Sequence, residues 1–393
     1  CNYCFSFDGY LFTLTQKLIM KICITKEDSN ELRTAISPEI VKKLSGSGHE
    51  IFVETNAGSG SNFDDEIFIE AGAKIYTDNA QLNTADFIFR VNAPSENEVA
   101  LYKENSILIA SLNPYNNSEI IKKLETQKTI SFAMELMPRI TRAQSMDVLS
   151  SQSNLAGYQA VIEASHIFNK AMPMMMTAAG TIAPAKVMVF GAGVAGLQAI
   201  ATAKRLGAIV SATDVRIAAK EQVESLGGKF VMVETEEDQD AETSGGYAKE
   251  MSEEFKVKQA ELISKTISSQ DIVICTALIP GKKAPTLITE EHVKSMKPGS
   301  VIIDLAAENG GNCVSTKVGE TAVVDGVSIY GASNITSSIS QDASALYSKN
   351  LFNFFNLLVN QESNQVDIDW EDEIVVNTLI TKDGKIIKEE FMK

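Results

Sequence analysis

The chain has 393 residues, 44% hydrophobic and 22% charged, with a formal net charge of −16. That length exceeds one ordinary core and calls for two domains. The acidic balance argues against a nucleic-acid binder, which needs a basic face, and against electrostatic docking on anionic lipid, so any phosphate-bearing ligand must be met by local backbone donors.

Five cysteines (Cys1, Cys4, Cys23, Cys275 and Cys313) are odd in number and scattered, which is no disulfide framework. Cys1-x-x-Cys4 lacks a second pair, and Cys275 closes the apolar run Asp271-Ile-Val-Ile-Cys275 as a small buried hydrophobe. His49, His166 and His292 show no metal-ligand spacing, and no metal site is expected.

Residues 1–19 carry neither a basic n-region nor a small-residue cleavage site and read as a disordered leader or remnant outside the fold. Met20 opens the first strand pattern. Strands are expected at 21–25, 51–54, 87–91, 107–111 and 129–133. Between the first two lies Ser37-Pro-Glu-Ile-Val-Lys-Lys-Leu44, with Ser37 as N-cap, Pro38 at the first helical position and Gly46 just past the end. Such alternation implies a parallel sheet with helices on both faces. A long helix is expected at 146–170. A second series of strands follows at 186–190, 209–213, 230–233, 271–276, 300–305 and 327–330, then another helix at 343–359. The stretch 171–203 holds one charge, Lys186, but Pro173, Pro184 and clustered glycines break it into pieces too short to span a bilayer. The acidic run 234–240 reads as a solvated loop.

These patterns predict an α/β protein of two Rossmann-like, doubly wound parallel-sheet domains, joined by long helices with a ligand cleft between them. The first domain takes 20–148 plus 345–393, and the second takes 149–344. In the second, Lys186-Val-Met-Val-Phe190 runs into Gly191-Ala-Gly193-Val-Ala-Gly196 and an Ala-rich helix pattern. Gly191 makes the tight turn, Gly193 lets the backbone approach a pyrophosphate, and Gly196 permits close helix–strand packing. Asp214, ending the next strand, suits the adenosine ribose hydroxyls and favours NAD over NADP, although Arg216 nearby can accommodate a 2′-phosphate. The plain alternative is a glycine turn that binds nothing.

A more specific stretch is Met134-Glu-Leu-Met-Pro-Arg139-Ile-Thr-Arg142-Ala-Gln144-Ser-Met-Asp147-Val-Leu-Ser150-Ser-Gln-Ser-Asn154. With Ala178-Ala-Gly180, Gly245-Gly-Tyr247-Ala-Lys-Glu-Met251, Thr276-Ala-Leu-Ile-Pro-Gly281 and Gly310-Gly-Asn-Cys313, it resembles the NAD(H)-binding component of proton-translocating NAD(P) transhydrogenase. The likeness runs from Met20 to the C-terminus. It implies hydride transfer between NAD(H) on this chain and NADP(H) on a partner component, coupled to proton translocation by a membrane-embedded partner. It also implies that Arg139, Gln144, Asp147 and Ser150 surround the nicotinamide end and that Tyr247 closes over the nucleotide on a mobile loop. Further nucleotide contacts fall on Ser145, Met146, Val194, Ala195, Val215 and Leu278. Read without the resemblance, 139–150 is equally a polar interdomain loop with a helix cap, and the Tyr247 segment a floppy surface loop.

The chain is also similar to alanine dehydrogenase, through Asn30-Glu-Leu-Arg33-Thr-Ala-Ile-Ser-Pro38. That enzyme holds a carboxylate substrate on the arginine matching Arg33 and needs a lysine and a histidine for its chemistry. The matching positions here are Asn92 and Asn113, which cannot act as acid or base near neutral pH. Amino-acid dehydrogenation is therefore disfavoured, and Arg33 reads as structural or vestigial. A non-catalytic NAD(H) sensor is a third possibility. By resemblance the chain is expected to be a homodimer without membrane insertion of its own. As a separate polypeptide ending at Lys393, it would lie on the cytoplasmic side of the inner membrane through its partners if bacterial.

Overall fold

A computed structural model describes residues 18–233, 253–279 and 281–392. Cys1, Cys4, the acidic run 234–240 and Gly245, Gly246 and Tyr247 lie outside the described residues. The chain divides into two compact units: residues 1–151 with 340–393, and residues 152–339.

The first unit opens with β1 (Lys21–Ile24), α1 (Pro38–Gly46), β2 (Glu50–Glu54), α2 (Asp65–Glu70), β3 (Lys74–Tyr76), β4 (Phe87–Asn92), α3 (Glu96–Val99), β5 (Ile107–Ser111), α4 (Ser118–Thr126) and β6 (Ile130–Ala133). Helix α5 (Val148–Ile167) carries the chain from the first unit into the second. There a hairpin, β7 (Met175–Thr177) and β8 (Gly180–Ile182), precedes β9 (Lys186–Phe190), α6 (Val194–Arg205), β10 (Ile209–Thr213), α7 (Ala219–Ser225), β11 (Lys229–Phe230), α8 (Glu253–Ile267), β12 (Ile272–Cys275), α9 (Glu290–Ser295), β13 (Val301–Asp304), β14 (Thr321–Val324) and β15 (Val327–Gly331). Helix α10 (Ser340–Leu358) returns the chain to the first unit. The small pair β16 (Val359–Asn360) and β17 (Gln365–Val366), α11 (Glu373–Thr378), β18 (Leu379–Lys382) and β19 (Lys385–Ile386) follow.

Among the described residues the first unit holds an eight-stranded sheet, ordered β19-β18-β6-β5-β4-β1-β2-β3. The second holds a seven-stranded sheet, ordered β11-β10-β9-β12-β13-β15-β14. Both are parallel except at one end, where β18 runs antiparallel to β6 and β19, and β14 to β15. Both faces of each sheet are buried. Ile22 and Ile24 enter one core while Cys23 enters another, and Val187 and Val189 part in the same way from Met188 and Phe190. Side chains alternate across a strand, so near-continuous apolar runs are what a sheet covered on two sides requires. The expected fold class, doubly wound parallel α/β, is therefore the observed one.

Three local expectations change. Ser37 has the extended N-cap backbone but makes no side-chain cap hydrogen bond, and its own N–H donates to Ser348 Oγ at 2.9 Å. Gly46 lies within α1 rather than beyond it. The turn is closed instead at Gly48 (φ +94°), where His49 N–H donates back to Leu44 O at 3.1 Å. The expected strand at 230–233 is reduced to Lys229–Phe230, paired only with Ser211 and Ala212.

Candidate dinucleotide site

The strand order of the second unit reverses between β9 and β12, which in an open parallel sheet leaves a crevice beyond the strand ends. The glycine turn sits there. Gly191 has φ +92°, and a Cβ on it would lie 2.6 Å from Thr276 Oγ1, so conformation and space both demand glycine. Gly196, in the first turn of α6, has less room still: a Cβ would stand 1.9 Å from Gly191 O. Gly193 differs, because a Cβ there would meet no protein atom within 4 Å. As N-cap of α6 it has extended backbone and no side-chain cap. The first N–H groups of a helix lack intrahelical acceptors, and here no side chain stands in for one. That is the donor set a pyrophosphate needs. Val194 and Ala195 follow on the same turn, with Val194 41% exposed.

Asp214 follows β10 and is bound to the turn itself. Its Oδ2 accepts from Ala192 N–H at 2.6 Å and from Arg216 Nη2 at 3.1 Å, while Oδ1 accepts from Arg216 N–H at 2.8 Å and Nε at 3.0 Å. Burial works against its charge, but the hydrogen bonds from Arg216 and Ala192 outweigh it and hold the carboxyl below its ordinary range. Asp214 thus braces the glycine turn, and Arg216 occupies acceptor positions that a ribose would share. Val215, beside them, is 69% exposed.

Across the crevice, Thr276 Oγ1 donates towards Phe190 O (3.0 Å) and Gly191 O (3.1 Å). The loop it opens carries Leu278, 50% exposed, and is clamped by buried Asn312. Asn312 accepts from Ala277 N–H and donates to Ala277 O and Pro285 O, at 3.1, 2.9 and 2.8 Å. Asp304, fully buried, fixes Asn312 in turn by accepting its N–H at 2.8 Å. Sequence reasoning placed neither Thr276 nor Asn312 at the site. Their only signal was membership in the motifs 276–281 and 310–313.

In the first unit, Asp147 and Ser150 are brought together. Asp147 accepts from Ser150 N–H at 2.9 Å and Ser150 Oγ at 2.5 Å, capping α5. Arg139, Gln144 and Ser145 are exposed on the preceding segment, while the Met146 side chain lies in the hydrophobic core. Ser145 O is tied down by Asn350 Nδ2 (2.9 Å) and Asn353 Nδ2 (3.0 Å) of α10.

The first sheet has its own reversal, between β1 and β4, and the chain fills it with its own charges. Arg90 donates to Thr25 Oγ1 (2.7 Å) and Glu27 (3.1 Å), and Glu27 accepts from Val91 N–H at 2.7 Å. Beside it the Arg33 guanidinium grips Glu31 with two bonds, of 2.8 and 2.7 Å, and Asn92 Nδ2 reaches Glu31 at 3.1 Å. An internal carboxylate therefore occupies the arginine fork. Asn113 donates its N–H to Glu135, which also accepts from Leu112 N–H at 3.2 Å. Among the described residues no group of three or more His, Cys, Asp or Glu is arranged to hold a metal ion, and no helix is long and apolar enough to cross a membrane.

Fold and turn together define a two-unit, doubly wound α/β protein with a dinucleotide-type glycine loop at a sheet switch point. The alanine dehydrogenase/PNT N-terminal domain matches residues 23–156 and the corresponding C-terminal domain matches 160–389, so the chain belongs to the alanine dehydrogenase/PNT family. It is 55% identical over 375 residues to an NAD(P) transhydrogenase alpha subunit polypeptide of Rhodospirillum rubrum, covering 94% of this chain and 98% of that protein. A crystal structure of transhydrogenase from Sinorhizobium meliloti superposes with a TM-score of 0.85 at 50% identity, over 93% of this chain and all of that one. An L-alanine dehydrogenase structure shares the fold at TM-score 0.78 and 22% identity, over 95% of this chain and 99% of that one.

Proposed function

We propose that this chain is the NAD(H)-binding subunit of a proton-translocating transhydrogenase. Hydride passes between its NAD(H) and an NADP(H) held on a partner component, and a membrane-embedded partner couples the transfer to proton movement. The observation that carries this reading is the Gly191–Gly196 turn, braced by Asp214 at the switch point, in a chain similar over 94% of its length to a transhydrogenase alpha subunit polypeptide. The N-terminus of α6 receives the pyrophosphate. Asp214 takes the adenosine ribose, with Arg216 giving up part of its hold, and its negative charge disfavours a 2′-phosphate.

Bound NAD(H) supplies the hydride chemistry, which needs no acid or base at the reacting carbons. The work of the chain is to hold the ring and exclude water. Arg139, Gln144, Asp147 and Ser150 meet the carboxamide and ribose with donors and acceptors, and Tyr247 closes over them. The Asp147–Ser150 hydrogen bond keeps that hydroxyl oriented. A homodimer is supported by the β7–β8 hairpin, where Met174, Met175, Met176 and Ile182 are 59%, 40%, 79% and 43% exposed. Such an apolar cluster suits burial against a second copy. In a bacterial cell the subunit works at the cytoplasmic face of the inner membrane through its partners.

The test is titration of the full chain with NADH and NADPH, then reduction of an NAD analogue by NADPH with an NADP(H)-binding transhydrogenase component added. NADH-selective binding and transfer only with that component are expected. Alanine-dependent NADH formation would favour the dehydrogenase instead, against the internal Glu31–Arg33 pair. Binding without either activity would leave a sensor.

A further inference from the structure

Gly157 lies buried inside α5, a position where glycine is a poor helix former. A Cβ on it would stand 2.1 Å from Ala195 O, 2.8 Å from Ala195 C and 2.9 Å from Ala195 Cα. All three are main-chain atoms of the first turn of α6, so no side-chain rotation can relieve the clash. Ordinary carbon contacts begin near 3.5 Å, so a methyl group at 157 requires the two backbones to separate by about 1 Å or more. The same turn of α6 is held elsewhere by Gly196, which packs directly on Gly191 O. The start of α6 is thus fixed backbone-on-backbone twice, once to the loop after β9 and once to α5.

We propose that Gly157 is a positioning residue of the nucleotide site, setting where the N-terminal N–H groups of α6 meet the pyrophosphate. The inference rests on the reading of the Gly191 turn as an NAD(H) site. Hydrogen bonds from backbone N–H to phosphate weaken steeply with distance and angle, and the helix dipole acts only within the first turn. A retreat of α6 therefore costs pyrophosphate contacts first. Asp214 lies on β10's end, held by Ala192 N–H and Arg216 rather than by α6. The adenosine end of the ligand is then left in place.

The experiment compares full-length wild type and Gly157→Ala for binding of NADH, ADP-ribose and adenosine, with Kd from displacement of NADH fluorescence. NADH and ADP-ribose are expected to bind about tenfold or more weakly to the variant, the equivalent of one charge-assisted hydrogen bond. Adenosine should change by less than about twofold, because no backbone donor of α6 contacts it. Equal weakening of all three ligands would indicate general disruption and overturn the role, as would a variant that matches wild type. Wild type that binds no NADH would overturn the reading of the site, and this role with it. Should Gly157→Ala not fold, hydrogen exchange on the wild type decides. NADH must slow the amides around 157 together with those of the first turn of α6, and protection confined to α6 would refute the coupling.

Discussion

Replacing Asp214 with asparagine isolates what its carboxylate does. The side chain accepts from four donors, the closest being Ala192 N–H at 2.6 Å, and is 7% exposed. Asparagine keeps one accepting oxygen and places an NH₂ where the other stood. If the oxygen stays with Arg216, Ala192 N–H loses its acceptor, and a buried donor left unpaired costs about 1–3 kcal/mol. Arg216 is 35% exposed, so the lost ion pair adds no more than about 1 kcal/mol after solvent screening. A destabilisation of about 2–3 kcal/mol lowers the melting temperature of a unit this size by roughly 5–10 °C. The sign with pH follows from the lowered carboxyl. Its stabilisation is present above the unfolded value, near 3.8, and is lost as pH falls through the lower folded value. Thermal melts at pH 7 and below pH 4 therefore show a gap that closes in acid. Equal melting at pH 7, or a gap that widens in acid, would refute the bracing role. The same variant should bind NADPH more nearly as well as NADH, and unchanged selectivity would separate Asp214 from ribose recognition.

Asp147→Asn keeps an N-cap of equal quality, so stability should move by less than about 1 kcal/mol. Hydride transfer with the partner component should fall by about tenfold as an orienting charge-assisted hydrogen bond is weakened. Wild-type rates would sink the assignment. Gly196→Ala forces a methyl group against Gly191 O, which would be 1.9 Å away, and should abolish measurable NADH binding while costing about 1–3 kcal/mol by overpacking. Tight NADH binding by this variant would contradict the packing seen. Glu135 supplies a pH prediction of opposite sign. Burial pushes its carboxyl up from 4.5 to about 7, against the lowering effect of its backbone hydrogen bonds from Asn113 and Leu112. Its contribution is full below pH 4.5 and lost as pH rises through about 7, at most about 3 kcal/mol. Glu135→Gln should therefore melt above wild type at pH 8.5 and lose that advantage by pH 5. A gap independent of pH would show that Glu135 does not titrate there.

The elements legible in the sequence were those whose signal is local. Strands β1, β5, β9 and β12 are apolar runs because both sheet faces are covered, and the step from Phe190 through Gly191 to α6 is written in residues that touch within one turn. Several strands at or near the sheet ends, β3, β14, β18 and β19, escaped notice. In β14 partly buried and exposed residues alternate, and β18 is a short run whose place in the sheet is set by pairing with β6, some 250 residues earlier in the chain. The candidate site divides along the same line. The strand, glycines and carboxylate announced a dinucleotide turn, but the partners of that carboxylate could not be read off: Asp214 is spent on Ala192 and Arg216, Glu31 fills the Arg33 fork, and Ser37 forgoes capping. Gly157 looks like a helix flaw until Ala195 is brought against it. Periodicity and turn chemistry are properties of neighbours in the chain, so the sequence alone determined the class of fold and the place of the turn. Which donor meets which acceptor depends on atoms brought close by folding, and only the tertiary structure decided it.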